Sequence, residues 1–278
     1  GTITSTGTII VNPNNTITLT SAAGTNNQTR CINTAITNIT YSTTSATGAT
    51  FTGLPAGVSG SWAGNVATIS GTPTAAGTFN YTVTLTGGCG AITSTGTIIV
   101  NPNNTITLTS AVGTNNQTRC INTAITNITY STTGATGATF TGLPAGVSGS
   151  WAGNVATISG TPTAAGTFNY TVTLTGGCGT VTSTGSITVL PLPTFTTTFA
   201  NPSACNGIDG SINLNALQPN SSYTYSLNGA PSVASNSNGL GQISITGLSA
   251  TTYSIIVTNT STSCSSVAQS VSLTNPNS

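Results

Sequence analysis

The sequence has 278 residues, 36% of them hydrophobic, and only three that carry charge: Arg30, Arg119 and Asp209. With one carboxylate and no His or Lys, it offers no carboxylate pair, no His–Ser or His–Cys couple and no calcium cage. Two arginines at equivalent positions of separate repeats make no basic patch for nucleic acid, and apolar patches such as Ile9–Val11 are far too short to span a bilayer. No catalytic residue, cofactor, metal or nucleic-acid partner is therefore expected. Glycine (33 residues) brings the apolar share to about 48%, the usual value for folded domains, so the chain can build cores. Its length suits two or three small domains, with surfaces of Thr, Ser, Asn and Gly.

The first stretch, Gly1–Val11, reads GTITSTGTIIV. It matches GAITSTGTIIV at 90–100 and resembles GTVTSTGSITV at 179–189. Residues 1–11 are thus expected to be the last strand of a preceding domain, and the natural protein is expected to extend upstream. The closing Asn-Pro-Asn-Ser resembles a linker and suggests extension downstream. With no signal peptide ahead of Gly1, the sequence reads as mature protein or a segment of it.

From Gly7 the sequence repeats with a period of 89 residues. Segments 7–95 and 96–184 differ at four positions only: Ala23/Val112, Ser45/Gly134, Ala91/Thr180 and Ile92/Val181. That period is too long for a solenoid and right for a whole sandwich domain. Asn12-Pro13, Asn101-Pro102 and Leu190-Pro191-Leu192-Pro193 mark domain ends. The expected units are 12–101, 102–190 and 191–278. Short proline joints predict a semi-rigid, elongated rod on the order of 110 Å long, at roughly 3.3 Å per strand residue.

Within the first repeat, period-2 alternation and β-branched residues predict strands near Thr16–Thr20, Ala35–Thr43, Ala49–Thr52, Ser59–Ala63, Val66–Ser70, Gly77–Thr86 and Ala91–Val100. Turns are marked by Leu54-Pro55-Ala56-Gly57, Gly64-Asn65, Gly71-Thr72-Pro73 and Gly87-Gly88. No segment has helical periodicity. Seven short strands at this spacing predict an all-β chain of tandem Ig-like sandwiches.

Cysteines fall two to a unit: Cys31 and Cys89, Cys120 and Cys178, Cys205 and Cys264. Six allow fifteen pairings. If each unit is closed on its own, the repeat selects Cys31–Cys89, Cys120–Cys178 and Cys205–Cys264. Loops of 58 to 59 residues would then stabilise each unit by about 4 kcal/mol. The clamp is expected to stop a pulled domain from extending fully and to keep near-identical neighbours from misassembling. Disulfides imply an oxidising compartment, so an extracellular, cell-surface location.

Other residues invite a binding role. Trp62 and Trp151, in Gly-Ser-Trp-Ala-Gly-Asn, offer a face on which a sugar could stack; packing in the core beside the disulfide is the commoner use. Tyr41, Phe51, Phe79 and Tyr81, with their copies Tyr130, Phe140, Phe168 and Tyr170, read as core aromatics. Arg30 and Arg119, each just before the first Cys of a repeat, read as donors to loop carbonyls. Ser70–Thr78 has a phosphate-loop flavour but no Lys, and it precedes a strand.

Two resemblances add to this reading. Phe51-Thr-Gly-Leu-Pro-Ala-Gly-Val58 through Ile69-Ser-Gly-Thr-Pro-Thr-Ala-Ala-Gly-Thr-Phe-Asn-Tyr-Thr-Val-Thr84, and again 140–173, is similar to the Ig-like repeats of bacterial surface proteins. The third unit resembles the repeat of the large gliding-motility adhesin of Bacteroidota. Its carrying residues are Cys205-Asn-Gly-Ile-Asp-Gly-Ser-Ile-Asn213, Tyr223-Thr-Tyr-Ser-Leu-Asn-Gly229, Gly247-Leu-Ser-Ala250, Tyr253-Ser-Ile-Ile-Val-Thr258 and Ser263-Cys264. It departs from that repeat at Asn220-Ser-Ser and at Thr260-Ser-Thr-Ser263, in place of a glycine pair and an acidic residue. The resemblance implies type IX secretion, surface attachment and a stalk or adhesive role. The expected function is a structural stalk or filament segment of a secreted adhesin, supporting attachment or gliding. Its partners would be neighbouring repeats and other copies in a fibre. The alternatives are direct binding of glycan, ice or another surface through flat Thr/Asn faces, and an accessory segment of a large secreted enzyme.

Overall fold

The structure, a computed structural model, describes residues 1–276. Among them every regular element is a strand. The first unit contains β1 (Thr16–Leu19), β2 (Asn27–Cys31), β3 (Ile39–Thr44), β4 (Gly48–Thr52), β5 (Val58–Ala63), β6 (Val66–Gly71), β7 (Gly77–Thr86) and β8 (Thr93–Asn101). They form two sheets, ordered β1-β3-β6-β5 and β2-β8-β7-β4. This is an Ig-like sandwich, antiparallel throughout except where β2 runs parallel to β8. The hairpin from β5 to β6 turns on Gly64 and Asn65, both at positive φ, as a tight two-residue connection requires.

The second unit repeats the plan. It comprises β9 (Thr105–Leu108), β10 (Asn116–Cys120), β11 (Ile128–Thr133), β12 (Gly137–Thr141), β13 (Val147–Ala152), β14 (Val155–Gly160), β15 (Gly166–Thr175) and β16 (Thr182–Leu190), in sheets β13-β14-β11-β9 and β10-β16-β15-β12. The third differs. It has β17 (Thr196–Ala200), β18 (Gly210–Asn215), β19 (Ser222–Leu227), β20 (Val233–Asn236), β21 (Ile243–Leu248), β22 (Thr252–Asn259) and β23 (Gln269–Ser272), in sheets β17-β18-β21 and β20-β19-β22-β23.

One strand departs from the sequence expectation. β2, with sequence Asn-Gln-Thr-Arg-Cys, has no apolar alternation, so a period-2 reading passes over it and starts the next strand too early, at Ala35 instead of Ile39. Tertiary pairing makes it a strand. Asn27–Cys31 pairs in register with Thr97–Asn101, and Gln28 ties it down. The Gln28 Nε2 group donates to the carbonyls of Thr25 (2.8 Å) and Thr37 (2.9 Å), and its Oε1 accepts from the Thr37 N–H (2.9 Å).

Each sandwich has its own core. In the first, Ile39, Tyr41, Ala67 and Ile69 of one sheet face Tyr81, Val83, Ile98 and Val100 of the other. Tyr41 and Tyr81 are both 1% exposed, and their hydroxyls meet at 3.0 Å between the sheets. The Tyr81 hydroxyl also donates to the Asn26 carbonyl at 3.3 Å. Tyr130 and Tyr170 repeat the pair at the same distance. The ring of Tyr81 lies over Gly96, where a Cβ would meet the phenolic oxygen at 2.4 Å and the Asn26 carbonyl at 2.2 Å; only glycine fits there. In antibody-type domains a disulfide joins the sheets at this level of the sandwich. Here a buried pair of phenols takes that place.

The pair yields a stability test. Tyr81→Phe leaves the Tyr41 hydroxyl buried with no partner, at a cost of about 1–3 kcal/mol, read as a lower denaturant midpoint with an unchanged slope. Burial first, then the hydrogen bond from its tyrosine partner, pushes the Tyr81 and Tyr170 phenols above the usual value of 10.0. The neutral forms are favoured in the folded state, so their contribution is complete below pH 10 and declines as the unfolded chain ionises above it. Stability measured across alkaline pH, with phenolate absorbance as a second readout, should stay level to about pH 10 and then fall.

Candidate functional site

The most specific chemistry lies at the joints between sandwiches. Cys31 is bonded to Cys178 and Cys120 to Cys264, each with Cα atoms 5.6 Å apart. Both bonds connect neighbouring units. Cys89 and Cys205 are unpaired among the described residues. The expected pairings within a unit, Cys31–Cys89, Cys120–Cys178 and Cys205–Cys264, are therefore wrong.

The reason is geometric. Cys31 closes β2 and sits beside Asn101, at the end of β8 where the chain leaves the sandwich. Cys89 lies in the turn between β7 and β8, bridged to Asn14 where the chain enters. The nine residues of β8 separate the two, roughly 25 Å at the rise of a strand. A disulfide tolerates a Cα separation of about 4.4–6.8 Å. The entrance of one unit, however, adjoins the exit of the unit before it, so the same two positions meet across each joint.

At the first joint, β8 ends at Asn101, and two residues later Asn103 bridges to Cys178. Cys31 and Cys178 thus flank one short linker containing Pro102. Asn104 completes the joint. It is 4% exposed, its Nδ2 donates to the carbonyls of Gly176 (2.8 Å) and Gly179 (2.9 Å), and its Oδ1 accepts from the Cys178 N–H (3.2 Å). At the second joint Cys120 pairs with Leu190, and the Ile121 N–H donates to the Leu190 carbonyl at 2.8 Å. The prolines 191 and 193 line two shallow cavities there, one against Gln218 and Tyr223 and the other against Ile121 and Val267.

The two bonds close loops with sequence separations of 147 and 144 residues, and the loops overlap between Cys120 and Cys178. Three stretches of backbone therefore run in parallel from one cystine to the other. The shortest, through the second sandwich, is 58 residues. By loop-closure entropy the first bond formed stabilises the fold by about 5 kcal/mol, slightly more than a bond within one unit would, and the second adds less because the first has already shortened the chain.

Other singled-out residues serve the joints or the cores. Arg30 donates to Gln28 Oε1 (3.1 Å) and to the Thr37 hydroxyl. Arg119 donates to the Thr118 carbonyl (3.3 Å) and to Thr126 Oγ1 (2.5 Å). Both brace the strand that ends in the bridging cysteine, mostly through side-chain oxygens where loop carbonyls were expected. Trp62 and Trp151 pack half-buried against the cores, and each indole N–H donates at 3.0 Å to a buried threonine, Thr43 or Thr132. Among the described residues no disulfide lies inside their sandwiches to pack beside. Asp209 accepts from the Ser203 N–H at 3.0 Å, and hydrogen bonding to Ser203, through its side chain first and its backbone second, holds the carboxyl below the usual range.

The outer face of the sheet β2-β8-β7-β4 is a grid of hydroxyls and amides. Thr50, Thr84 and Thr93 form one row across the strands, and Thr52, Thr82 and Thr95 the next. Asn80, Thr97 and Asn27 form a third, tied by a 2.9 Å bond from Thr97 Oγ1 to Asn80 Oδ1. The second unit repeats the grid with Thr139, Thr173, Thr182 and Thr141, Thr171, Thr184. Rows are about 7 Å apart and strands about 4.8 Å.

No protein-family model matches the sequence, and no curated protein matches it. Solved structures do match in fold. A three-domain I-band fragment of titin, I67–I69, superposes with a TM-score of 0.59 at 13% identity, covering 90% of this chain and 96% of that one. A Glu-to-Ala variant of the same fragment gives 0.58, also at 13% identity, covering 90% and 95%. The chain is a tandem of Ig-like sandwiches.

The cross-joint pairing has a direct assay, because trypsin can cut only after Arg30 and Arg119. The fragments 31–119 and 120–278 should migrate as one species without reductant and separate with it. Separate migration in both conditions would restore the pairing within units.

Proposed function

We propose that the chain is a structural stalk or filament segment of a large secreted cell-surface adhesin, supporting attachment or gliding motility. One observation carries this reading: the disulfides staple sandwich to sandwich. A cystine inside a domain protects that domain alone. A cystine across a joint fixes the relation between neighbours and offers load a second covalent path. Both suit a part that transmits force. The bonds also favour an oxidising, extracellular location. The uncharged hydroxyl and amide surface keeps the stalk hydrated with little dependence on salt or pH. The third unit's likeness to a gliding-motility repeat supports the Bacteroidota-type, type IX-secreted setting.

Pulling a single molecule from both ends tests the reading. With disulfides intact, the contour between Cys31 and Cys264 is limited to the 58-residue path, roughly 200 Å. Reduction should release the whole intervening chain, roughly 800 Å. Equal lengths in the two states would remove the mechanical role of the staples.

The threonine grid favours a second reading, in which the same stalk also touches a glycan, ice or other surface directly. Thr95→Lys combined with Thr184→Lys, both at exposed strand positions, should abolish retention on such a surface while leaving the melting midpoint nearly unchanged, since such positions contribute within about 0.5 kcal/mol. Retention unaffected by the double substitution leaves the grid as sheet-stabilising cross-strand pairs.

A further inference from the structure

The entrance of the first sandwich is built like the entrance of the second, but there the corresponding parts are open. Asn15 matches Asn104: it is 3% exposed, and its Nδ2 donates to the carbonyls of Gly87 (2.7 Å) and Gly90 (2.9 Å). Cys89 matches Cys178. At the closed joint Cys178 is 1% exposed and its N–H donates to Asn104 Oδ1. At the open one Cys89 is half-buried and unpaired, and Asn15 Oδ1 is buried without a partner. A buried acceptor left unsatisfied is costly, and this one lies at the position that its twin satisfies when the disulfide forms.

A second, separate feature leads into the same place. Residues 1–11 repeat the β8 sequence, yet they form no strand, and Ile9 and Val11 are 90% and 86% exposed. Their counterparts Ile98 and Val100 are 0% and 2% exposed, covered by the sandwich to which β8 belongs. The repeat therefore shows what covers this segment: β7-like and β2-like strands, on an Ig-like unit that lacks its last strand. A second folded copy of this chain does not fit, since β8, β16 and β23 are all in place in its units.

We propose that Cys89 is the open half of a third joint staple, whose partner is the β2-end cysteine of an Ig-like unit of the same repeat, placed ahead of Gly1 and completed by residues 1–11. In that arrangement the unit's Asn-Gln-Thr-Arg-Cys strand runs parallel to residues 8–12, as β2 does to β8, and its cysteine arrives beside Asn12, next to Cys89. Closing the bond oxidises the two thiols. Two electrons and two protons pass to a small-molecule disulfide, which leaves as two thiols. The partner assignment deepens the stalk reading and rests on it for its purpose, but its test is chemical, so either can fail without the other.

The test places a copy of residues 12–89 directly ahead of Gly1 and folds this extended chain with oxidised glutathione. Disulfide mapping should link Cys89 to the copy's counterpart of Cys31, and iodoacetamide should label Cys89 in the 278-residue chain but not in the extended one. Amides of Ile9 and Val11 should become protected from hydrogen exchange, and Asn15→Ala should slow closure without moving the bond elsewhere. The proposal is overturned if Cys89 stays alkylatable, if the copy's two cysteines pair with each other, if Cys89 instead links two chains through Cys205, or if Ile9 and Val11 stay unprotected. A stalk whose pulled length ignores reduction, but whose Cys89 closes as described, would refute the mechanical reading alone.

Discussion

The parallel seating of β2 on β8 is the constraint on which the rest of the structure depends. It carries Cys31 to the end of the sandwich where the chain leaves, while the turn after β7 holds Cys89 where the chain enters. No bond can span that distance within a unit. Across the three residues between β8 and β9 the exit of one unit meets the entrance of the next, and the same two positions come within bonding range. The covalent order of the whole chain therefore follows from one short polar strand and from the residues that hold it, Gln28 and Arg30 in the first unit and Gln117 and Arg119 in the second.

Using the cysteines at the joints leaves each sandwich to close its two sheets by other means. The buried tyrosine pairs do this with one hydroxyl–hydroxyl bond, one bond to a loop carbonyl and the burial of two large rings. Gly96 and Gly185 give up their side chains to make room for the rings. Local stability and covalent connection are thereby separated. Phenols and aliphatic side chains hold the units, while cystines, buried asparagines and prolines hold the joints. The third unit keeps its place in the scheme through Cys264 although its sheets and core are arranged differently.

A neutral surface follows from the same division of labour. With three charged residues in the whole chain, cross-strand threonine pairs cover the sheets, as at Thr16 with Thr44 (2.6 Å) and Thr20 with Thr40 (3.0 Å). Such pairs satisfy one another and water alike. Both arginines are spent on bracing the strands that carry bridging cysteines.

The sequence by itself determined the all-β class, the 89-residue repeat, most strand positions and the near-absence of charged side chains, because these follow from side-chain type and period-2 spacing along the chain. Even the turn at Gly64-Asn65 was legible, since two consecutive positive φ angles leave few residue choices. Only the tertiary structure decided that β2 is a strand, that Tyr41 meets Tyr81, and that Cys31 reaches Cys178 instead of Cys89. Each of these depends on which ends of distant strands lie together. The spacing of two cysteines along a chain is the same whether they sit at one end of a sandwich or at opposite ends. One local signal did point the right way: Cys89 lies in Gly-Gly-Cys-Gly, a turn at the edge of the domain, where a staple between sheets would need it inside a strand.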